Sequence, residues 1–296
     1  MTTAHSGRRF APPLMPSLAG HISMDKAPDL TDAHPPREIA RMVERLGVAK
    51  AQTDAVTLVV LAVLAGAFIS LGALFFTVVV TEANLGFGVT RLLGGLSFCL
   101  GLVLVVVAGA ELFTGNNLLA MAWASRLIGT RDVMRNWLLA YLGNVIGCLG
   151  TVLFVAWADI GSLGGGAVGE TAIQIARAKA GLSLGEAFAR GLLCNALVCL
   201  AVWLAMGGRS VADKILAILF PITAFVAIGF EHSIANWFFL PFGLALDKQG
   251  AVSVVGVAWN LVAVSAGNIT GGTLLVAGVY WVAYLRGERK REGKSS

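Results

Sequence analysis

Three stretches of this sequence, residues 55–81, 136–158 and 191–208, contain no Asp, Glu, Lys or Arg. Each is long enough to cross a bilayer as one helix, which takes roughly 20 residues. A soluble domain needs charge to coat its surface, whereas a chain facing lipid does not. Here charged residues are 13% of the chain and hydrophobic ones 57%, against about 25% charged in ordinary soluble domains. Three longer apolar tracts, 92–125, 215–246 and 249–285, exceed one simple span. The expected fold class is therefore an all-α integral membrane protein with six transmembrane helices.

Placement of the basic residues sets an orientation. Seven Lys/Arg precede the first span, five follow the last, and Arg126, Arg131, Arg135, Arg209 and Lys214 fall in loops on that same side. The other side receives Arg91, Arg177, Lys179, Arg190 and Lys248, a split of 17 against 5. Basic loops stay inside, so both termini are expected in the cytoplasm, in a multi-pass protein of the inner or plasma membrane. A pI near 9.2 does not imply nucleic acid, because no folded soluble domain remains to present a basic face. Cys99, Cys148, Cys194 and Cys199 lie in apolar tracts without a C-x-x-C pair, so neither a metal site nor a disulfide framework is expected. No cofactor is implied.

Residues 1–36, with six prolines from Pro12 to Pro36, read as a disordered cytoplasmic tail. Residues 37–50 place Ile39, Met42, Val43 and Leu46 at helical spacing among charges, the pattern of an amphipathic interfacial helix. The transport domain runs over 51–286, and 287–296 form a basic tail.

Within that domain the sequence repeats itself. Gly109-Ala110-Glu111-Leu112-Phe113-Thr114-Gly115-Asn116 in the second span matches Gly229-Phe230-Glu231-His232-Ser233-Ile234-Ala235-Asn236 in the fifth as Gly-x-Glu-x-x-x-x-Asn. Gly143-Asn144 in the third span and Gly267-Asn268 in the sixth follow the two Glu at 33 and 37 residues. Each half, about 51–158 and 190–286, then holds three spans. An odd number makes the second copy enter from the opposite side, an inverted repeat. Folds of this kind place the site at mid-membrane between interrupted helices, which accounts for the overlong tracts if the second and fifth helices are broken.

Glu111, Glu231 and His232 are the ionisable Asp, Glu or His side chains inside the apolar tracts. A charge there costs at least about 2.5 kcal/mol, so each is a functional candidate. The two Glu occupy equivalent positions and are read as scaffolding that ties down free backbone N–H groups of the broken helices. His232 breaks the symmetry, since Leu112 stands at its counterpart, and is read as functional. Thr114 offers a hydroxyl at the other break, and Asn195 and Asn268 offer amide donors for a pore or, as the alternative, interhelical glue. Each G-x-x-x-G pair, Gly143/Gly147 and Gly267/Gly271, suits close helix packing. Phe98 and Leu102 taken alone read as core or lipid-facing, and Lys179 as an ordinary loop charge. There is no H-E-x-x-H, G-x-S-x-G or P-loop pattern, so an enzyme is not expected.

The Glu-Leu-Phe-Thr-Gly-Asn run at 111–116, Phe-Glu-His-Ser-Ile-Ala-Asn at 230–236 and Gly-Asn-Ile-x-Gly-Gly at 267–272 resemble the formate/nitrite transporter family from about residue 37 to Arg286. The resemblance implies an aquaporin-like fold with broken second and fifth helices, assembled as a homopentamer with one pore per subunit. The paired Asn-Pro-Ala boxes of aquaporins are absent. It further implies that His232 is the central pore histidine, that Thr114 faces it, and that Asn195 and Asn268 are polar pore neighbours. Phe98 and Leu102 would form one constriction and Leu112 and Phe225 the other, with Lys179 attracting anions at the outer vestibule. The expected function is proton-coupled movement of a small monovalent anion, formate first, with nitrite or hydrosulfide as alternatives. Its partners are that anion, protons and membrane lipid. A non-transporting membrane scaffold or sensor is the alternative of another class. The orientation is directly testable: a reporter active only outside the cytoplasm, fused after Ser296, should stay silent, and a signal from it would overturn the topology.

Overall fold

A computed structural model describes residues 33–287. Most of the segment assigned to 1–36 and the basic tail assigned to 287–296 lie outside the described residues. Among the described residues six helices are long and apolar enough to cross a membrane: α2 (Ala55–Val80), α3 (Phe87–Val107), α5 (Thr130–Trp157), α7 (Leu184–Gly207), α8 (Val211–Ile228) and α10, which starts at Val254 and continues through π-helical turns to Leu285. Four shorter α-helices, α1 (Pro36–Gln52), α4 (Ala120–Ala124), α6 (Ala167–Ala180) and α9 (Ser233–Leu246), and 3-10 turns at Gly115–Leu119 and Ile160–Gly166 accompany them. No strand occurs among the described residues.

The loop residues that start these helices are good caps. Asp54 accepts from Thr57 N–H ahead of α2, and Ser253 from Gly256 N–H ahead of α10. Ser183 with Glu186 and Ser210 with Asp213 form capping boxes on α7 and α8. Large apolar side chains such as Leu153, Phe154, Trp157 and Phe220 point outward, as they do where the surroundings are lipid or a further copy rather than water.

α1 is more than a surface helix. Its Ile39, Ala40 and Val43 are buried in a cluster with Leu118, Met121, Trp203, Val276 and Ala277. His34 N–H bonds the Gly207 carbonyl, fixing where α1 begins against the end of α7. The membrane face bearing α1 is the near face, and the one bearing α6 the far face.

α2 packs on α5 and α7 packs on α10, and in both pairs glycine sets the approach. A Cβ on Gly147 would meet the Val63 carbonyl and lie 2.9 Å from Ala67 N; one on Gly271 would meet the Leu192 carbonyl. Backbone on backbone cannot yield as a flexible side chain does. Gly150, one turn along α5, has nothing within 4 Å of such a Cβ. Gly147→Ala should therefore cost about 1–3 kcal/mol through overpacking, while Gly150→Ala should be neutral or stabilise by up to ~1 kcal/mol. Thermal unfolding in detergent measures both, and equal effects would refute the packing account.

Candidate functional site

Two helices stop in mid-protein. α3 ends at Val107 and α8 at Ile228, each followed by a glycine at positive φ, Gly109 at 82° and Gly229 at 89°. That left-handed conformation is cheap only for glycine and turns the chain out of the helix. The same bonds then recur in both halves. Ala110 N–H reaches back to Val105 O and Phe230 N–H to Phe225 O; Glu111 N–H bonds Leu61 O and Glu231 N–H bonds Arg190 O.

A buried asparagine closes each break. Asn144 donates to Ala62 O (2.7 Å) and Glu111 O (2.9 Å) and accepts from Phe113 N–H (2.9 Å). Asn268 donates to Gly191 O (2.7 Å) and Glu231 O (3.0 Å) and accepts from Ser233 N–H (2.9 Å). These amides, not the glutamates, hold the free backbone groups, which corrects the role expected of Glu111 and Glu231. Both N–H bonds of Asn268 are thereby engaged. The Asn195 amide donates to Asn117 Oδ1 and Asn268 O, each at 2.7 Å, and lies 3.2 Å from Thr114 O. Asn195 and Asn268 thus stand behind the breaks as ties rather than as free donors to a pore.

The breaks bring Thr114 and His232 together. Thr114 Oγ1 lies 3.0 Å from His232 Nε2, and both residues are buried. His232 is also the N-cap of α9, its Nδ1 accepting from Ala235 N–H at 3.1 Å. With Nδ1 an acceptor, the neutral ring carries its hydrogen on Nε2 and donates to Thr114. The threonine hydroxyl hydrogen is then available to another acceptor.

Apolar side chains flank this pair, in a different grouping from the one expected. Phe98 and Phe225 meet edge to face at 5.6 Å, with Phe225 stacked on the His232 ring at 6.0 Å. Both line a cavity of about 200 Å³ on the far side, with Lys179, Arg91 and Arg190. Leu102 and Leu112 line a second cavity, of about 340 Å³, on the near side with Lys50 and Glu111. Phe98 therefore belongs with Phe225 and Leu102 with Leu112. The reason is register: α3 descends from the far face, so Phe98 is a turn farther out than Leu102.

Each glutamate is neutralised by a lysine. Lys50 Nζ lies 2.9 Å from both Glu111 Oε2 and Asn116 Oδ1, Asn116 donates to Glu111 and Asn136, and Asn136 donates to Lys50 O. Lys179 Nζ lies 3.0 and 3.1 Å from the Glu231 oxygens, Asn236 donates to Glu231 and Asn260, and Asn260 donates to Lys179 O. Lys179 is thus half of a part-buried ion pair on α6, not an isolated loop charge. The second group is looser: Asn236 Oδ1 has no partner among the described residues, and Lys179 instead sits 5.2 Å over the Phe239 ring.

Lys50, Asn136 and Asn260 are additions to the residues picked from sequence. Their signal is present there: Lys50 and Lys179 each lie just ahead of a span, and Asn136 and Asn260 precede Asn144 and Asn268 by the same interval.

Known proteins resemble this chain over most of its length. The sequence model of the family described as Formate/nitrite transporter matches residues 37–282. The Formate channel FocA of Escherichia coli (strain K12) is 38% identical over 279 residues, covering 88% of this chain and 98% of the relative. A Probable formate transporter of Methanothermobacter thermautotrophicus is 36% identical over 275 residues, covering 85% and 97%. A solved structure described as a pentameric formate channel with formate bound superposes with a TM-score of 0.73 at 38% identity, covering 78% of this chain and 98% of that one.

The Lys179–Glu231 pair makes a stability prediction. Lys179→Met should destabilise by about 3–5 kcal/mol, because it strands a buried carboxylate. Adding Glu231→Gln should restore most of that loss. Unfolding of the two single variants and the double variant measures the coupling, and additive losses would mean the pair is incidental.

Proposed function

This chain belongs to the formate/nitrite transporter family, and we propose that its pore carries formate together with a proton across the cell membrane. The functional unit is a homopentamer with α1 and the end of α10 on the cytoplasmic side. The observation that carries this reading is the Thr114–His232 contact at 3.0 Å, set between the Phe98/Phe225 and Leu102/Leu112 side chains. It is a point of hydrogen-bond donors between two apolar passages.

A bare carboxylate loses much hydration energy in such passages, while its neutral acid loses little. Formic acid is almost wholly ionised in neutral water, so a proton must be supplied within the pore. The histidine is the suited source, its unperturbed pKa lying near 6.5. Formate reaching the centre replaces the Thr114–His232 bond, accepting from Nε2–H and from the threonine hydroxyl. Its negative charge favours the imidazolium form. The imidazolium, formed when Nδ1 takes a proton from the acidic side, then gives the Nε2 proton to the carboxylate oxygen; formic acid leaves through the second constriction, and a shift of the remaining ring proton from Nδ1 to Nε2 restores the resting ring. The second ring proton must sit on Nδ1, which in the resting arrangement accepts from Ala235 N–H. Loading the proton therefore loosens the first turn of α9 each cycle.

Replacing His232 by Asn separates the two roles of the ring. Asn is a good N-cap, so the variant should fold and assemble normally, yet it has no proton to transfer. The expected result is formate flux that has lost its acid dependence and become electrogenic. Current and pH change recorded together in liposomes decide the matter. One proton per formate in the variant, with the wild-type pH profile, would reduce His232 to a structural residue. Absence of formate flux in the wild type would favour the scaffold or sensor reading.

A further inference from the structure

The Thr114–His232 contact joins the two halves of the repeat, so a distance of 3.0 Å needs bonds that cross between them. Most hydrogen bonds that fasten the start of α9 do not cross. Ser233 N–H bonds Asn268 Oδ1, and the Asn236 amide bonds Glu231 and Asn260, all within the second half. Asn195 bonds the Thr114 carbonyl from α7, but its other amide bonds go to Asn117 and Asn268 rather than to α9. Two side chains of α5 do reach α9. Cys148 Sγ lies 3.3 Å from Ile234 O, and Tyr141 OH accepts from Trp237 Nε1–H at 2.8 Å. A thiol is a weak donor, so Tyr141 provides the firmer tie.

Tyr141 is placed to hold both sides at once. Its ring meets Phe113 edge to face at 4.9 Å, and Phe113 is the residue before Thr114. Trp137 also meets the Phe113 ring, at 6.4 Å, while its Nε1–H bonds Asn116 O. Because indole is a donor only, the Tyr141 hydroxyl hydrogen is left to point to Ser265 Oγ, 3.1 Å away on α10. Tyr141 and Ser265 hold corresponding places, each three residues ahead of the asparagine that closes a break. Trp237 and Phe113, in contrast, correspond to Asn117 and Ser233, so the brace exists once and not twice. Neither Tyr141 nor Trp237 lines the far or the near cavity.

We propose that Tyr141 is a positioning residue: through Trp237 and Phe113 it keeps His232 and Thr114 in register while the ring carries its second proton. This rests on the proton-coupled reading above, in which a protonated Nδ1 releases Ala235 N–H and α9 loses its cap. Trp237, a turn farther along α9, is then held by a bond that proton loading leaves intact. With that tie, formate keeps both donors, Nε2–H and the threonine hydroxyl. Without it the start of α9 drifts, a charge-assisted bond to formate weakens, and the anion favours the imidazolium less. A stronger acid is then needed to load the ring. The acid dependence of flux should move to lower pH by about one unit, roughly the worth of one such bond.

Tyr141→Phe keeps the ring on Phe113 and removes the hydroxyl, and Trp237→Phe removes the same bond from the other side. Formate flux and proton movement are recorded together in liposomes across the acid-to-neutral range. Each variant should still carry one proton per formate yet reach half-maximal flux about one pH unit lower. The double variant should shift no further, since both changes delete one bond. Thermal unfolding in detergent reads the cost to the fold, and a purely structural loss lowers flux by one factor at every pH. If one variant does not fold, the other reads the same bond. Wild-type midpoints in the folded variants, or shifts that add in the double variant, overturn the positioning role. A wild type with no acid dependence would overturn the proton-coupled reading beneath it, so the two failures are told apart.

Discussion

A backbone that leaves the helix inside a bilayer must find partners within the protein, because lipid offers none. Everything at the centre of this pore depends on how that demand is met. Gly109 and Gly229 turn the chain out of α3 and α8. Asn144 and Asn268 then take up one N–H and two carbonyls each. Since each asparagine arrives from a different span, closing a break also fastens three segments together. The close approach of α2 to α5 and of α7 to α10, set by glycine, brings those amides within reach.

The charged groups follow from the same arrangement. A glutamate at each break is tolerable only with its charge matched, and Lys50 and Lys179 supply the match from the ends of α1 and α6. α1 and α6 therefore hold corresponding places, one before each set of three spans. The repeated unit begins earlier than the spans themselves. The halves then diverge at a few positions, such as Leu112 against His232 and Leu61 against Arg190, on a shared frame.

Much of this was legible in the sequence. Charge-free tracts specify spans, and the doubled Gly-x-Glu-x-x-x-x-Asn marks the breaks because only certain residues can end a helix there. His232 stood out by lacking a symmetric counterpart. What the sequence hid were the partners. Lys50 looks like any basic residue before a first span, and only packing of α1 brings it to Glu111. Asn195 and Asn268 look like free donors until the carbonyls they bond are seen. The grouping of Phe98 with Phe225 rather than Leu102 depends on helix direction and depth, which motif matching does not encode.

His232 holds the start of α9 through one ring nitrogen and faces Thr114 through the other. On the proposed mechanism one side chain thus serves both the architecture and the chemistry, and a replacement such as Asn that keeps the helix start gives up the proton. A lineage that kept the proton step while drifting toward a new permeant would find this position frozen. It would have to change the walls instead, at residues such as Leu102, Leu112 or Arg190, where substitution leaves the helix start alone. Diversification along such a lineage would accumulate around the histidine and seldom at it.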